Sequence, residues 1–203
     1  MVGAPMVTNP IDIWFDFIDP VSVLLMLEIE TARLEEMPWT SECEMRWLPL
    51  ELRPPSTPLV GVDSATIAPL WEEARPIATH AGVKLAPPAL VPWTRKAHEL
   101  IAHGAEQSLS TATTLRLAVA KAYAIEGRDI GRVDVLVEIG IEHGLDRTET
   151  KAVLDVDRYE GDVAAMMEAA ARAQVTRTPT IVMDSQRFEG FHNRIALGTL
   201  LGT

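Results

Sequence analysis

The 203-residue chain predicts an α/β fold, in which a β-α-β unit and a β-β-α unit build one sheet domain around an all-helical insertion. Three observations carry that prediction. Residues 11–52 read as strand, helix and strand, and residues 64–172 as consecutive helices. Residues 178–201 then return to strand character and close with a short helix. The expected division is a sheet domain from 1–63 and 174–203, with the helical insertion at 64–173.

The run from Ile11 to Ile18 alternates and is rich in β-branched and aromatic side chains, as a strand with one well-buried face requires. Asp19-Pro20 reads as a helix start, because Asp caps free N–H groups and Pro suits the first helical position. An apolar run follows, and the helix is expected to reach about Glu36 and stop before Pro38. Glu44 to Leu52 reads as the second strand, parallel to the first because a helix separates the two. The proline-rich stretch from Arg53 to Asp63 reads as a loop. Helices are expected at 65–81, 93–107, 110–125, 133–143, 148–156 and 161–173. Their punctuation is Ala81-Gly82, Pro87-Pro88, His103-Gly104, Glu126-Gly127 and His143-Gly144. Thr148, with acidic residues just after it, reads as an N-cap. Thr178 to Met183 reads as a strand, Asp184-Ser185 as a hairpin turn, and Arg187 to Glu189 as the partner strand. Asn193 would cap the last helix, which runs to Leu201.

Composition narrows the function classes. Apolar residues at 47% and charged residues at 23% describe an ordinary globular chain. Eighteen basic against twenty-nine acidic side chains leave a net charge of -11, which argues against nucleic acid or an anionic membrane as partner. Residues 1–10 hold two prolines and no apolar targeting core, and no apolar run is long enough to span a bilayer, so a cytoplasmic protein is expected. The single cysteine, Cys43, rules out an intrachain disulfide, a CxxC pair and a cysteine-rich zinc site. The five histidines form neither an HxxxH nor an HExxH pair, so no metal is expected. No phosphate loop or nucleophile elbow is present.

Several landmarks, taken in order, carry a family resemblance. They are the run from Phe15 to Ser22, Trp47 to Pro54, Thr94 to His98, Ala124 to Ile130, and Val175-Thr-Arg-Thr-Pro-Thr180. The chain resembles the DsbA-like thioredoxin superfamily, a thioredoxin fold interrupted by a helical insertion. Its best likeness is to the branch of FrnE-type DsbA proteins and 2-hydroxychromene-2-carboxylate isomerases. Redox members of the family carry Cys-Pro-x-Cys where this chain has Asp19-Pro20-Val21-Ser22. Thiol–disulfide exchange needs a thiolate, which neither Asp nor Ser supplies, so a disulfide oxidoreductase is excluded. What the resemblance implies is a non-redox isomerase- or transferase-type enzyme acting on a small aromatic or polyketide-like molecule. It implies no obligatory cofactor, admits glutathione as a co-reactant, and admits a homodimer. The alternative is a catalytically inactive module that holds a peptide or partner protein.

The same resemblance nominates the site. Asp19 and Ser22 stand at the reactive positions beside Pro20. Thr178-Pro179 matches the cis-proline loop, whose residue before the proline offers its backbone to a ligand. Trp93, Thr94 and His98 lie where relatives line the cleft mouth. Asp19 carries two readings. It is an N-cap with no chemistry, or a reactive carboxyl: protonated it could donate a hydrogen bond, and ionised, the form the helix N-terminus favours, it could act as a general base. An ionised Asp19 would also repel a glutathione thiolate. Ser22 could equally do no more than satisfy first-turn backbone groups. Trp93 could pack between insertion and sheet.

Overall fold

A computed structural model describes residues 10–184 and 186–201. Strand β1 (Ile11–Phe15) leads into helix α1 (Pro20–Leu34), short helix α2 (Trp39–Glu42) and strand β2 (Met45–Pro49). Next come β3 (Val60–Gly61), α3 (Ala68–Ala81), β4 (Leu90–Val91), α4 (Arg95–Gln107) and α5 (Leu109–Ala124). They are followed by α6 (Val133–Glu142), α7 (Arg147–Asp155) and α8 (Glu160–Arg172). The chain then adds β5 (Thr180–Met183), β6 (Gln186–Glu189) and α9 (Arg194–Leu201).

The main sheet runs β2-β1-β5-β6. β1 pairs parallel with β2, Ile13 opposite Trp47, and antiparallel with β5, Ile13 opposite Ile181. A strand with neighbours on both sides and cover on both faces must be apolar, and in β1 Ile11, Ile13, Trp14 and Phe15 are all buried. One face packs Ile11, Ile13 and Ile181 against Leu25 and Ile29 of α1, Trp39 of α2 and Leu197 of α9. The other face packs Trp14 and Leu50 against Ala170 of α8 and Val175. A third cluster joins Phe15, Phe17, Ile18 and Val23 to Leu100, Leu115, Tyr123 and Leu136 of the helical block. The sheet and the insertion therefore share one core at the N-terminus of α1.

Several expectations need correction. The expected helical block is not wholly helical: β4 within it pairs antiparallel with β3, which lies in the proline-rich stretch expected as a loop, Val60 opposite Val91. β1 stops at Phe15 rather than Ile18, where the N–H of Asp19 turns back to the carbonyl of Asp16. β2 stops at Pro49 because the chain leaves the ladder and the N–H of Leu52 bonds instead to the Asp16 carboxyl, at 2.8 Å. His103-Gly104 is no turn. Gly104 lies inside α4, where a β-carbon would stand 2.4 Å from the Leu115 side chain, so the glycine permits close α4–α5 packing. Gly82 does end α3, in the left-handed conformation. Ser185 of the expected hairpin turn lies outside the described residues, as do the ends of the expected sheet domain.

The N-cap of α7 is Asp146 and not Thr148. Its carboxyl accepts from the N–H of Glu149 at 2.8 Å, and Thr148 lies in the first turn. The sequence offers both residue types, and the helix starts at the one that places its oxygen over the free N–H groups. Asp146→Ala is expected to cost about 1 kcal/mol in urea unfolding, and Thr148→Ala no more than a few tenths.

Candidate functional site

Asp19 is the N-cap of α1, and Pro20 occupies the first helical position. Its Oδ1 accepts from the N–H of Val21 at 3.0 Å. Its Oδ2 accepts from two hydroxyls, Ser22 Oγ at 2.7 Å and Thr178 Oγ1 at 2.8 Å. The second bond ties α1 to the loop before β5, where the Thr178-Pro179 peptide is cis. The fold thus brings Asp19, Pro20, Ser22, Thr178 and Pro179 together, all buried, with Asp19 and Ser22 at 0% exposure.

Burial decides the charge of Asp19. Capping alone would keep the carboxyl ionised, but desolvation raises it from 3.8 to about 7, against the opposing effect of its three hydrogen bonds. The nearby Asp16 carboxyl pushes in the same direction. The expectation of a base held ionised by the helix N-terminus is therefore corrected: near neutral pH the acid and its anion coexist. The proton belongs on Oδ2, because Oδ1 faces a fixed N–H donor, whereas either hydroxyl can turn from donor to acceptor.

His98 lies in α4 beside this group. It is 4% exposed and packed between Phe15 and Phe17, with ring centroids 5.2 and 4.9 Å away. Its Nε2 stands 3.4 Å from Asp16 Oδ1. Neither atom has a hydrogen-bond partner among the described residues. Thr94 is the N-cap residue of α4 without making a side-chain cap bond, and its hydroxyl is buried and unpartnered among the described residues.

Trp93 goes elsewhere. It is 36% exposed, its indole N–H donates to the carbonyl of Thr57 at 2.9 Å, and it lines a cleft of about 410 Å³ with Leu59, Leu90, Pro92 and Arg95. None of Asp19, Ser22 or Thr178 lines that cleft. A separate cleft of about 390 Å³ is walled by Val62, Trp71, Arg75, Leu85 and Pro87. Trp71 is the link inward, since its ring lies 5.9 Å from that of Tyr123. Burial, then Asp16 and Asp19, push the Tyr123 phenol upward, so it stays neutral, and its hydroxyl has no hydrogen-bond partner among the described residues.

Asp16, Tyr123 and Trp71 are the members that sequence reasoning overlooked. Asp16 left a signal, an acid between the apolar Phe15 and Phe17 just after β1. Tyr123 and Trp71 left none, because a buried ring on a helix face reads as packing. Cys43 sits at the end of α2 in the cluster beneath α1 and α9, half-buried, its thiol pushed up by burial and by Glu42. It is a poor source of thiolate. No group of three or more metal-ligating side chains occurs among the described residues. No described helix is long and apolar enough to cross a membrane.

Comparison with known proteins agrees with this architecture. A family model for the DSBA-like thioredoxin domain matches residues 10–197. The uncharacterized protein YwbO of Bacillus subtilis is 29% identical over 182 residues, covering 87% of each chain. The crystal structure of a probable DsbA oxidoreductase from Streptomyces coelicolor superposes with a TM-score of 0.79 at 21% identity, covering 95% of this chain and 88% of that one. A 2-hydroxychromene-2-carboxylate isomerase superposes with a TM-score of 0.73 at 19% identity, covering 96% and 95%.

Proposed function

The chain belongs to the DSBA-like thioredoxin domain family, and from that premise we propose that its site transfers protons rather than electrons. The reaction is an isomerisation of a small aromatic or polyketide-like molecule, with Asp19 as the proton carrier. One observation carries the proposal: at the position where redox relatives hold a thiol stands a fully buried carboxyl that titrates at about 7. A group matched to neutral pH in this way can take a proton from a carbon acid and return it to another atom of the same molecule. Ser22 and Thr178 fix the carboxyl, and each can exchange donor for acceptor as the proton arrives or leaves. The likeness in fold to an isomerase supports the reaction type. Because Asp19 is covered, the substrate reaches it only when the elements around it part.

Glutathione belongs to the same proposal. A neutral Asp19 removes the like-charge objection to sulfur at this position, and the Thr178 backbone would hold the peptide. In titration calorimetry, reduced glutathione or a planar aromatic carbonyl compound should bind at pH 6 and weaken as pH rises through 7. Asp19→Asn should flatten that dependence. If the wild-type protein binds none of these, the proposal is wrong.

A second reading rests on the same burial. Asp19 satisfies one N–H and two hydroxyls and has no exposed surface, as a structural pin between α1 and the cis-proline loop would. The domain would then be an inactive module that holds a partner protein. Failure of the wild-type protein to bind any of these small ligands, at pH 6 or at pH 8, would favour this reading.

A further inference from the structure

We propose that the pit between α1, α5 and the edge strand β2 binds a single monatomic anion of the halide class, held by Arg116 and Arg33. Arg116 is 8% exposed. Among the described residues its guanidinium meets no carboxylate within 4 Å, and its hydrogen bond to the Thr113 hydroxyl is a long 3.4 Å. It lies over Trp47, 4.8 Å from the ring centroid. Other part-buried arginines of this acidic chain are neutralised: Arg95 meets Glu51 and Glu160, and Arg194 meets Glu28 and Glu35. A desolvated cation without a counter-charge is unfavourable, and an aromatic face supplies only a partial one.

The groups facing Arg116 leave the deficit in place. From α1 come Glu30, Arg33 and the apolar Met26 and Ile29; from α5, Thr113 and Leu117; from β2, Trp47. Glu30 is engaged by Arg33 at 3.7 Å. Two guanidiniums against one carboxylate leave one net positive charge. Burial first, then Arg33, lower Arg116 to about 9, which leaves it charged at neutral pH. The pit has room for about 20 Å³. One water-sized occupant needs about 10–15 Å³, so the pit matches a single small monatomic ion. None of the Asp19 group lines it, so the anion would be a structural ligand of the α1–α5–β2 junction.

The test compares thermal melts in sodium chloride and sodium gluconate at equal ionic strength, together with crystals soaked in sodium bromide. Chloride alone should raise the melting temperature to saturation, and a bromide anomalous peak should lie between Arg116 and Arg33. Arg116→Met should abolish the chloride effect. Glu30→Gln should tighten chloride binding several-fold by removing the competing negative charge. Equal melts in the two salts overturn the proposal, as does a saturable chloride effect that survives Arg116→Met. Should that variant not fold, Arg33→Gln serves: several-fold weaker chloride binding supports the site, and unchanged binding overturns it.

Discussion

Asp19→Asn raises the stability of the protein at pH 8 and removes most of its loss of stability between pH 4 and 7. In the unfolded chain Asp19 releases its proton near 3.8, whereas in the folded chain it holds it to about 7. Across that window the native state binds the extra proton, so stability is greatest below about 4 and falls as pH rises to 7. Above 7 both states are ionised, and the native state bears the net cost of the shift, on the order of 4 kcal/mol. Asn keeps the cap on Val21 and can donate to the Ser22 and Thr178 oxygens, and it carries no charge to desolvate. The expected gain at pH 8 is about 1–3 kcal/mol in urea unfolding, with little change at pH 4. A loss of stability at pH 8 would mean that Asp19 is ionised and well solvated in the folded protein. The same substitution should lower any isomerase activity by about 10²–10⁴, because Asn cannot exchange a proton. Gain in stability with loss of turnover is the signature of a functional carboxyl held at a cost.

Arg95→Met is expected to destabilise the protein severely. Glu51 follows β2 and its side chain is fully buried, and Arg95 of α4 meets its Oε2 through Nε at 2.8 Å and Nη2 at 2.6 Å. Arg95 also reaches Glu160 at the start of α8, so a single guanidinium joins the sheet domain to two helices of the insertion. Removing it strands a buried carboxylate, at a cost of about 3 kcal/mol or more. For a chain of this length that lowers the melting temperature by roughly 6–12 °C. The double variant Arg95→Met, Glu51→Gln should recover a large part of the loss, since most of the cost is the unpaired charge. A single-variant loss under about 1 kcal/mol would mean that water reaches Glu51 in solution.

Much of the architecture could be read along the chain because its signals are local. The apolar run of β1, the Asp19-Pro20 start and the apolar face of α1 each lie within a few residues, and both elements form, β1 shorter than expected. The misreadings came where two local signals compete or where long-range pairing wins. Thr148 and Asp146 are both good caps, and only the path of the chain into α7 chooses between them. Gly104 reads as a turn unless one knows that Leu115 lies against it. Val60–Gly61 and Leu90–Val91 are too short to announce themselves and exist as strands only by pairing with each other.

The site divides in the same way. Which side chains stand at the start of α1 was decided by the sequence: an Asp and a Ser, with one remote Cys43, so residue identity alone excludes disulfide exchange through a cysteine pair. The chemical state of that Asp was not. Residue identity suggested an ionised cap, but the carboxyl is desolvated by neighbours on several elements and bonded to a hydroxyl 159 residues away. Desolvation is a sum over everything that surrounds a group in space, and no stretch of sequence contains that sum. The tertiary structure alone therefore places Asp19 between acid and base, brings Asp16 and Tyr123 near it with His98 against Asp16, and sends Trp93 to a different cleft.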